Sequence, residues 1–388
     1  MTINLFDDNA WASLRPLSFT RPVADLRVGI LTIAQKWERH LNATAGFLTI
    51  PYLSIKYPAQ VGASLSINGS VCPDEGLLEA IDRLRDGEAL KQQELLIAYR
   101  APYGMLPEEL NTLKAVVYEP SIIRILHPED VFKNNDTELR KDFSLLTKGR
   151  SSAILSSTNV ILGEEVFVEE GGGAECATLN SLSGPIYVGK NSQIWEGAHI
   201  RGSFALCHDS QVKMGAKIYG QTTIGPFSRV GGEINNAVIW GYSSKGHEGY
   251  LGNSVMGQWC NIGADTNNSN LKNNYASVKI WDYTLDDFRQ TGMLFCGMIM
   301  ADHAKCGINT MFNTGSVVGV GANIFGAGFP KTFLPDFSWG GAQGFETYRL
   351  EKMFETAEQV FMRRNLPFDE KERNILTAVF ELTKSYRS

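Results

Sequence analysis

Between residues 188 and 230 one aliphatic side chain recurs at every sixth position: Val188, Ile194, Ile200, Leu206, Val212, Ile218, Ile224 and Val230. An amphipathic helix repeats its apolar residues at three and four, and a half-buried strand at two, so a strict period of six belongs to neither. A second series in another phase runs Leu294, Met300, Cys306, Phe312, Val318 and Ile324. The period predicts a parallel β-helix with triangular coils, in which each hexapeptide makes one short strand and one corner, and a single aliphatic points inward. Three hexapeptides then close a turn. Residues 231–293 break the phase and predict inserted loops, where a rigid solenoid is expected to carry its chemistry.

The flanking segments have other rhythms. Residues 1–148 predict strands at 2–6, 47–50, 94–99 and 114–117 and helices at 32–41, 75–85 and 135–146, an order that suggests an open, mostly parallel α/β sheet. After residue 330, Phe333, Phe337 and Trp339 are expected to cover the open end of the solenoid. Leu350, Met353, Phe354, Ala357, Val360 and Phe361 then trace one helical face. Asp369 with Glu372 resembles a capping box ahead of Ile375, Leu376, Val379 and Phe380. The expected division is an α/β domain over 1–148, a β-helix over 149–335 and a helical extension over 336–388.

Composition narrows the function. At 388 residues, 43% hydrophobic and 20% charged, the chain is ordinary globular material. No run approaches 18 apolar residues, so no membrane partner is expected. The start, MTINLFDDNAW, lacks a basic region followed by an apolar run, which leads us to expect a cytoplasmic protein without a secretory signal. A net charge of −6 argues against a nucleic-acid partner. Six cysteines without C-x-x-C spacing read as reduced thiols rather than a disulfide frame or zinc site.

The phase-breaking segment contains S-K-G-H-E-G-Y-L-G-N (Ser244 to Asn253) and N-I-G-A-D-T-N-N-S-N (Asn261 to Asn270). These motifs resemble S-K-x-x-H-x-x-Y-x-G-(D/N) and N-I-G-A-G-T-x-x-x-N of the bifunctional N-acetylglucosamine-1-phosphate uridylyltransferase/glucosamine-1-phosphate acetyltransferase family. The likeness is greatest to an alternative bacterial branch with an abbreviated nucleotidyltransferase-like domain, and one residue fewer separates Lys from His here. The resemblance implies a left-handed β-helix that transfers acetyl from acetyl-CoA to the amine of glucosamine 1-phosphate. It also implies uridylyl transfer from UTP to the acetylated sugar phosphate, and a homotrimer.

Acetylating an amine requires a neutral nucleophile, and a histidine is suited to taking its proton. The resemblance implies that role for His247. It implies that Tyr250 and Asn270 bind the sugar phosphate, that Glu233 steers the amine or the histidine, and that Lys217 stands where the family has an arginine. Asn235 occupies the place of a second phosphate lysine, for which Lys272 is the candidate substitute. Backbone near Ala264 would line the acetyl-CoA channel. His199, His208 and His303 read as structural, and no H-x-x-x-x-H pair points to a zinc site.

The segment L-R-P-L-S-F-T-R-P, Leu14 to Pro22, looks like the pyrophosphorylase signature without its glycines. By that resemblance Arg15, Arg21 and Lys36 would bind nucleotide phosphates, and Asn134, in D-V-F-K-N-N-D-T-E-L, would ligate Mg²⁺. The alternatives left open are nucleotidyl (for example thymidylyl) or acyl transfer on a different sugar phosphate, and an N-terminal domain that only binds nucleotide.

Overall fold

The computed structural model describes residues 1–105 and 109–387. The N-terminal sheet has six strands: β1 (Thr2–Phe6), β2 (Thr44–Leu48), β3 (Leu65–Asn68), β4 (Glu88–Gln92), β5 (Leu95–Arg100) and β6 (Lys114–Val117). Their spatial order is β2-β1-β3-β5-β4-β6. The pairs β1–β2, β1–β3 and β4–β6 are parallel, whereas β3–β5 and β4–β5 are antiparallel, so the sheet is mixed rather than mostly parallel. The departure comes from β3 and β4, two strands the sequence pattern did not reveal. Helices Ile33–Leu41, Glu75–Asp82 and Asn135–Thr147 lie close to their expected places. Thr32 caps the first of them with a full capping box to Gln35.

The middle of the chain stacks as a parallel β-helix. One lumen column runs Val188, Leu206, Ile224, Ile239, Met256, Met300, Val318, Leu334, each paired with its neighbour in register. A second runs Leu179, Ile200, Ile218, Ile234, Leu251. These side chains are at most 2% exposed. Burying aliphatics of this size stabilises by about 1.5–3 kcal/mol each. The phase break at 231 has a specific cause. Two strands of a coil fuse into one unbroken strand, Glu233–Gly241 and then Tyr250–Gln258, so a corner is lost and each coil shortens. The expected insertion is confined to the stretch after residue 268, which carries the antiparallel hairpin Lys279–Asp282/Asp287–Gln290. Leu294, placed by its spacing in the second series, is 47% exposed because it lies on the return of this insertion. The series enters the lumen at Met300.

The N-terminal sheet does not stand apart from the solenoid. Along Glu233–Gly241, Ile234, Ala237 and Ile239 face the lumen, while Val238 and Trp240 join the core of the N-terminal sheet. Trp240 Nε1 donates to the Arg27 carbonyl at 3.1 Å. Asn135 fastens the same junction: its Oδ1 accepts from Gly29 N and its Nδ2 donates to the Gln221 carbonyl, both at 2.8 Å. The tail helices Leu350–Met362 and Glu370–Leu382 pack with Phe19, Leu53, Tyr283, Val320 and Phe337, bridging both parts of the chain. Asp369 caps Glu372 N, but Glu372 turns its carboxylate to Lys56 instead of closing the box. Among the described residues, no helix is long and apolar enough to cross a membrane.

One outer corner of the solenoid carries a column of aromatic rings. Phe227 and Tyr242 stack at 4.9 Å and Tyr242 and Trp259 at 4.2 Å, and Phe361 from the tail closes on Trp259 at 3.9 Å. Phe227, Tyr242, Trp259 and His303 all have positive φ, which disfavours bulky side chains; stacking offsets part of that cost. His303 is 5% exposed and its Nδ1 has no hydrogen-bond partner. Burial first, and then the Lys305 charge, pull its pKa from 6.5 down to about 3. Below pH 6.5 the unfolded chain therefore takes up a proton that the folded chain refuses, and stability is lost as pH falls toward 3. His303→Phe keeps the stack and removes this linkage. Its melting temperature should fall less steeply than the wild type's between pH 6.5 and 4, and parallel slopes would contradict the assignment.

Candidate functional site

The fused strands extend a row of outward side chains that the regular coils already hold in register, where His199 pairs with Lys217. Lys217, Glu233 and Tyr250 are direct register partners on three successive rungs, spaced by the usual interval of about 4.8 Å. Tyr219, Asn235 and Gly252 form the next row. Tyr219 Oη donates to Glu233 Oε1 at 2.6 Å, and this bond, with some burial, pushes the phenol up to about 12. Asn270 Nδ2 donates to Tyr250 Oη at 2.9 Å and to Asn253 Oδ1 at 2.7 Å. The structure thus brings Lys217, Glu233, Tyr250 and Asn270 onto one face.

His247 occupies the corner that leads into this row. Its side chain is exposed and, among the described residues, makes no hydrogen bond. The backbone beneath it is tightly fixed. Gly232 has φ +70°, and a Cβ there would meet the His247 carbonyl at 2.7 Å; Gly249, at φ +113°, would meet the Thr266 carbonyl at 2.1 Å. Both positions need glycine for space and conformation together. Lys245 takes a lumen position, the register partner of Val230, and its Nζ donates to the His247 carbonyl at 2.7 Å. Burial lowers this ammonium to about 8. Lys217 Nζ lies 3.7 Å from Glu248 Oε2, with both groups largely exposed, so the lysine remains available to an anion.

The other expected residues of this site are less convergent. Ala264 sits in the corner one coil further on, where its carbonyl accepts from Asn309 N at 2.8 Å. Lys272 donates to the Ser277 carbonyl at 3.1 Å within its own loop. Tyr219 was missed by sequence reasoning, and Lys245 and Asn253 stood in the Ser244 to Asn253 motif without a role of their own.

The N-terminal sheet opens a cavity of 850 Å³ at the carboxyl ends of β1 and β3, the place where parallel strands commonly hold a ligand. Asp7, Asp8, Trp11, Asn68, Tyr99 and Arg124 are among its lining residues. Asp7 accepts from Val23 N at 2.8 Å and Thr49 Oγ1 at 2.5 Å, and burial raises its carboxyl to about 6. Asp8 accepts from Ala10 N, Asn68 Nδ2 and Arg124 Nη2 at 2.9, 2.9 and 2.6 Å.

The expected phosphate clamps lie elsewhere. Arg21 is 3% exposed and paired with Asp25 and Asp302. Lys36 is 1% exposed and paired with Glu138 at 2.9 Å and Asp142 at 2.6 Å. Both are buried ion-pair partners and cannot reach a nucleotide without breaking those pairs. Arg15 Nε donates to the Ala12 carbonyl, and its guanidinium rests 5.7–5.8 Å from the ring centres of Trp11, Phe19 and Tyr283, outside the cavity lining. Asn134 lies between two helices, with Nδ2 on the Asp130 carbonyl at 2.8 Å, and it too is absent from that lining. Asp7 and Asp8 already accept from protein donors through every oxygen, and Glu94, the remaining carboxylate of the lining, is exposed on the β4–β5 turn, away from Asn134. The residues present therefore do not assemble a Mg²⁺ site on Asn134.

Residues 3–151 match the protein family described as "Sugar nucleotidyl transferase". An 87-residue stretch is 31% identical to "Bifunctional protein GlmU" of Methanocaldococcus jannaschii, covering 22% of this chain. The match spans 21%, about a fifth, of that relative's length. Among solved structures, Arabidopsis UDP-N-acetylglucosamine acyltransferase matches over 61% of this chain and 90% of its own, at 17% identity and a TM-score of 0.21.

Proposed function

We propose that this chain is a transferase of sugar phosphates whose β-helix moves acetyl from acetyl-CoA to the amine of glucosamine 1-phosphate. The observation that carries this reading is the row Lys217–Glu233–Tyr250, in register and adjoined by the His247 corner. The sugar nitrogen attacks the thioester carbonyl, the C–S bond breaks and the thiolate leaves. His247 accepts the proton that the nitrogen loses. Glu233, whose Oε1 already holds Tyr219, offers its second oxygen to the amine. Lys217 neutralises the phosphate as a point charge, and Tyr250 with Asn270 holds sugar hydroxyls. Single-chain exposure of this row suits a site completed by a neighbouring copy, and we propose a homotrimer. Lys217→Ala should raise KM for the sugar phosphate roughly tenfold or more with a smaller change in kcat, since a hydrogen bond to a charged group is worth about 1.5–3 kcal/mol. Lys217→Arg should restore it. An unchanged KM in the alanine variant would remove Lys217 from the site.

For the N-terminal cavity we propose uridylyl transfer from UTP to N-acetylglucosamine 1-phosphate, giving UDP-N-acetylglucosamine. The family match over residues 3–151 supports this reading. A second reading, in which the domain binds a nucleotide or nucleotide sugar without making one, is favoured by Asp7 and Asp8 in the glycine-free loop and by the engagement of Arg124 with Asp8. Pyrophosphate release from UTP and N-acetylglucosamine 1-phosphate decides between them. Release supports transfer; tight binding without release supports the second reading.

A further inference from the structure

On the face of the β-helix next to the His247 corner, a cavity of 470 Å³ opens between the solenoid and the Leu350–Met362 helix. Arg229, Lys305, Arg363 and Arg364 line it, with Tyr242 and Trp259 of the aromatic column, and no Asp or Glu is among the lining residues. Among the described residues, Arg229, Arg363 and Arg364 have no side-chain hydrogen bond and no carboxylate within 4.0 Å, although the whole chain carries a net charge of −6. Lys305 donates only to the His303 carbonyl, at 2.9 Å. Burial, then the neighbouring Arg229 and Arg363 charges, lower Arg364 below its ordinary range. Ser244, Asn261 and the Tyr242 hydroxyl add further donors to the same walls. The three guanidinium groups lie together without a counter-ion, Arg229 and Arg363 exposed and Arg364 half-buried, and a bound polyanion would relieve their mutual repulsion through bidentate contacts.

We propose that this cavity binds the diphosphate group of a nucleotide-like ligand, with Arg229, Arg363 and Arg364 as its principal contacts. The volume falls within the range of small-molecule sites and exceeds what one phosphate requires. Two sources share this chemistry: a free nucleoside diphosphate, or the phosphorylated adenosine end of a coenzyme. Chain continuity makes the second geometrically feasible. Ser244 lines the cavity three residues before His247, and Arg229 precedes Glu233 by four, so the two regions lie within about 10–14 Å along extended backbone. The assignment rests on the unpaired arginines and not on the acetyl-transfer reading.

Isothermal titration of the full-length protein with inorganic pyrophosphate, ADP, coenzyme A and adenosine tests it. Pyrophosphate and at least one of ADP and coenzyme A should bind, more weakly as salt rises, whereas adenosine should not. Arg229→Gln and the double variant Arg363→Gln/Arg364→Gln should each weaken that binding at least tenfold. Any nucleotide held in the N-terminal cavity is untouched by these changes and persists in the variants. Preference for coenzyme A identifies the coenzyme source, and preference for ADP the free nucleotide. Removing one or two charges from a like-charged cluster should leave the ligand-free melting temperature equal or higher. Wild-type affinity in both variants, no binding to the wild type, or a marked ligand-free loss of stability in the variants would overturn the proposal.

Discussion

His247→Ala is expected to lower kcat for acetyl transfer by about 10²–10⁴, the usual worth of a general base, while leaving the fold intact. Two features of the structure separate these effects. The imidazole is exposed and makes no hydrogen bond among the described residues, so its removal takes away no packing and orphans no buried partner. The corner it stands on is held by its backbone instead, through the Lys245 ammonium on the His247 carbonyl and the close stacking at Gly232. Thermal unfolding should therefore match the wild type, and KM for the sugar phosphate should change little because Lys217, Tyr250 and Asn270 remain. Full activity in the variant would reduce the β-helix to a scaffold at this position. Equal losses of activity and stability would instead make His247 a structural residue.

The largest stability effect is expected at Asp302→Ala. Asp302 is 3% exposed and accepts from Thr20 Oγ1 at 2.7 Å, from Arg21 Nη2, and from Gln258 N at 2.7 Å. It joins the N-terminal segment to the solenoid in one buried contact. Burial by itself would push its carboxyl up, but Arg21, His303 and Thr20 together outweigh this and hold it below the ordinary value. Without Asp302, Arg21 is left buried with only Asp25, and removing one partner of such a pair costs about 3–5 kcal/mol. Urea unfolding should show that loss. Arg21→Met, which removes the charge while keeping an apolar stem, should cost less. If Arg21 instead clamped nucleotide, Arg21→Met would abolish any nucleotide binding by folded protein; unchanged binding is the outcome expected here.

These residues also show what the sequence could and could not disclose. The column through Val188, Leu206 and Ile224 was legible because each lumen residue is separated by a fixed number of positions and nothing distant is needed to interpret it. The row Lys217–Glu233–Tyr250 was not legible as a row. The fused strands change the repeat length there, so no single period aligns the three, and the family-like motifs supplied them one at a time. β3 and β4 escaped notice for local reasons. β3 is only four residues long, and β4, E-A-L-K-Q, lacks alternation. The turn from β4 to β5 places Gln93 at φ +52° with no Gly or Asn to announce a hairpin. Arg21 and Lys36 look like phosphate ligands in sequence because their partners, Asp302 and Asp142, are 281 and 106 positions away. Only tertiary structure supplies those carboxylates. The aromatic corner column had no signal either, since positive φ at Phe227, Tyr242 and Trp259 contradicts ordinary turn preferences.

Acetyl transfer by the β-helix can be read as free-thiol release from acetyl-CoA by the wild-type chain in the presence of glucosamine 1-phosphate. Thiol release is expected to require the amino sugar and to match the N-acetylated product mole for mole. Background release alone, with glucosamine 1-phosphate and with every other amino-sugar phosphate offered, would contradict it.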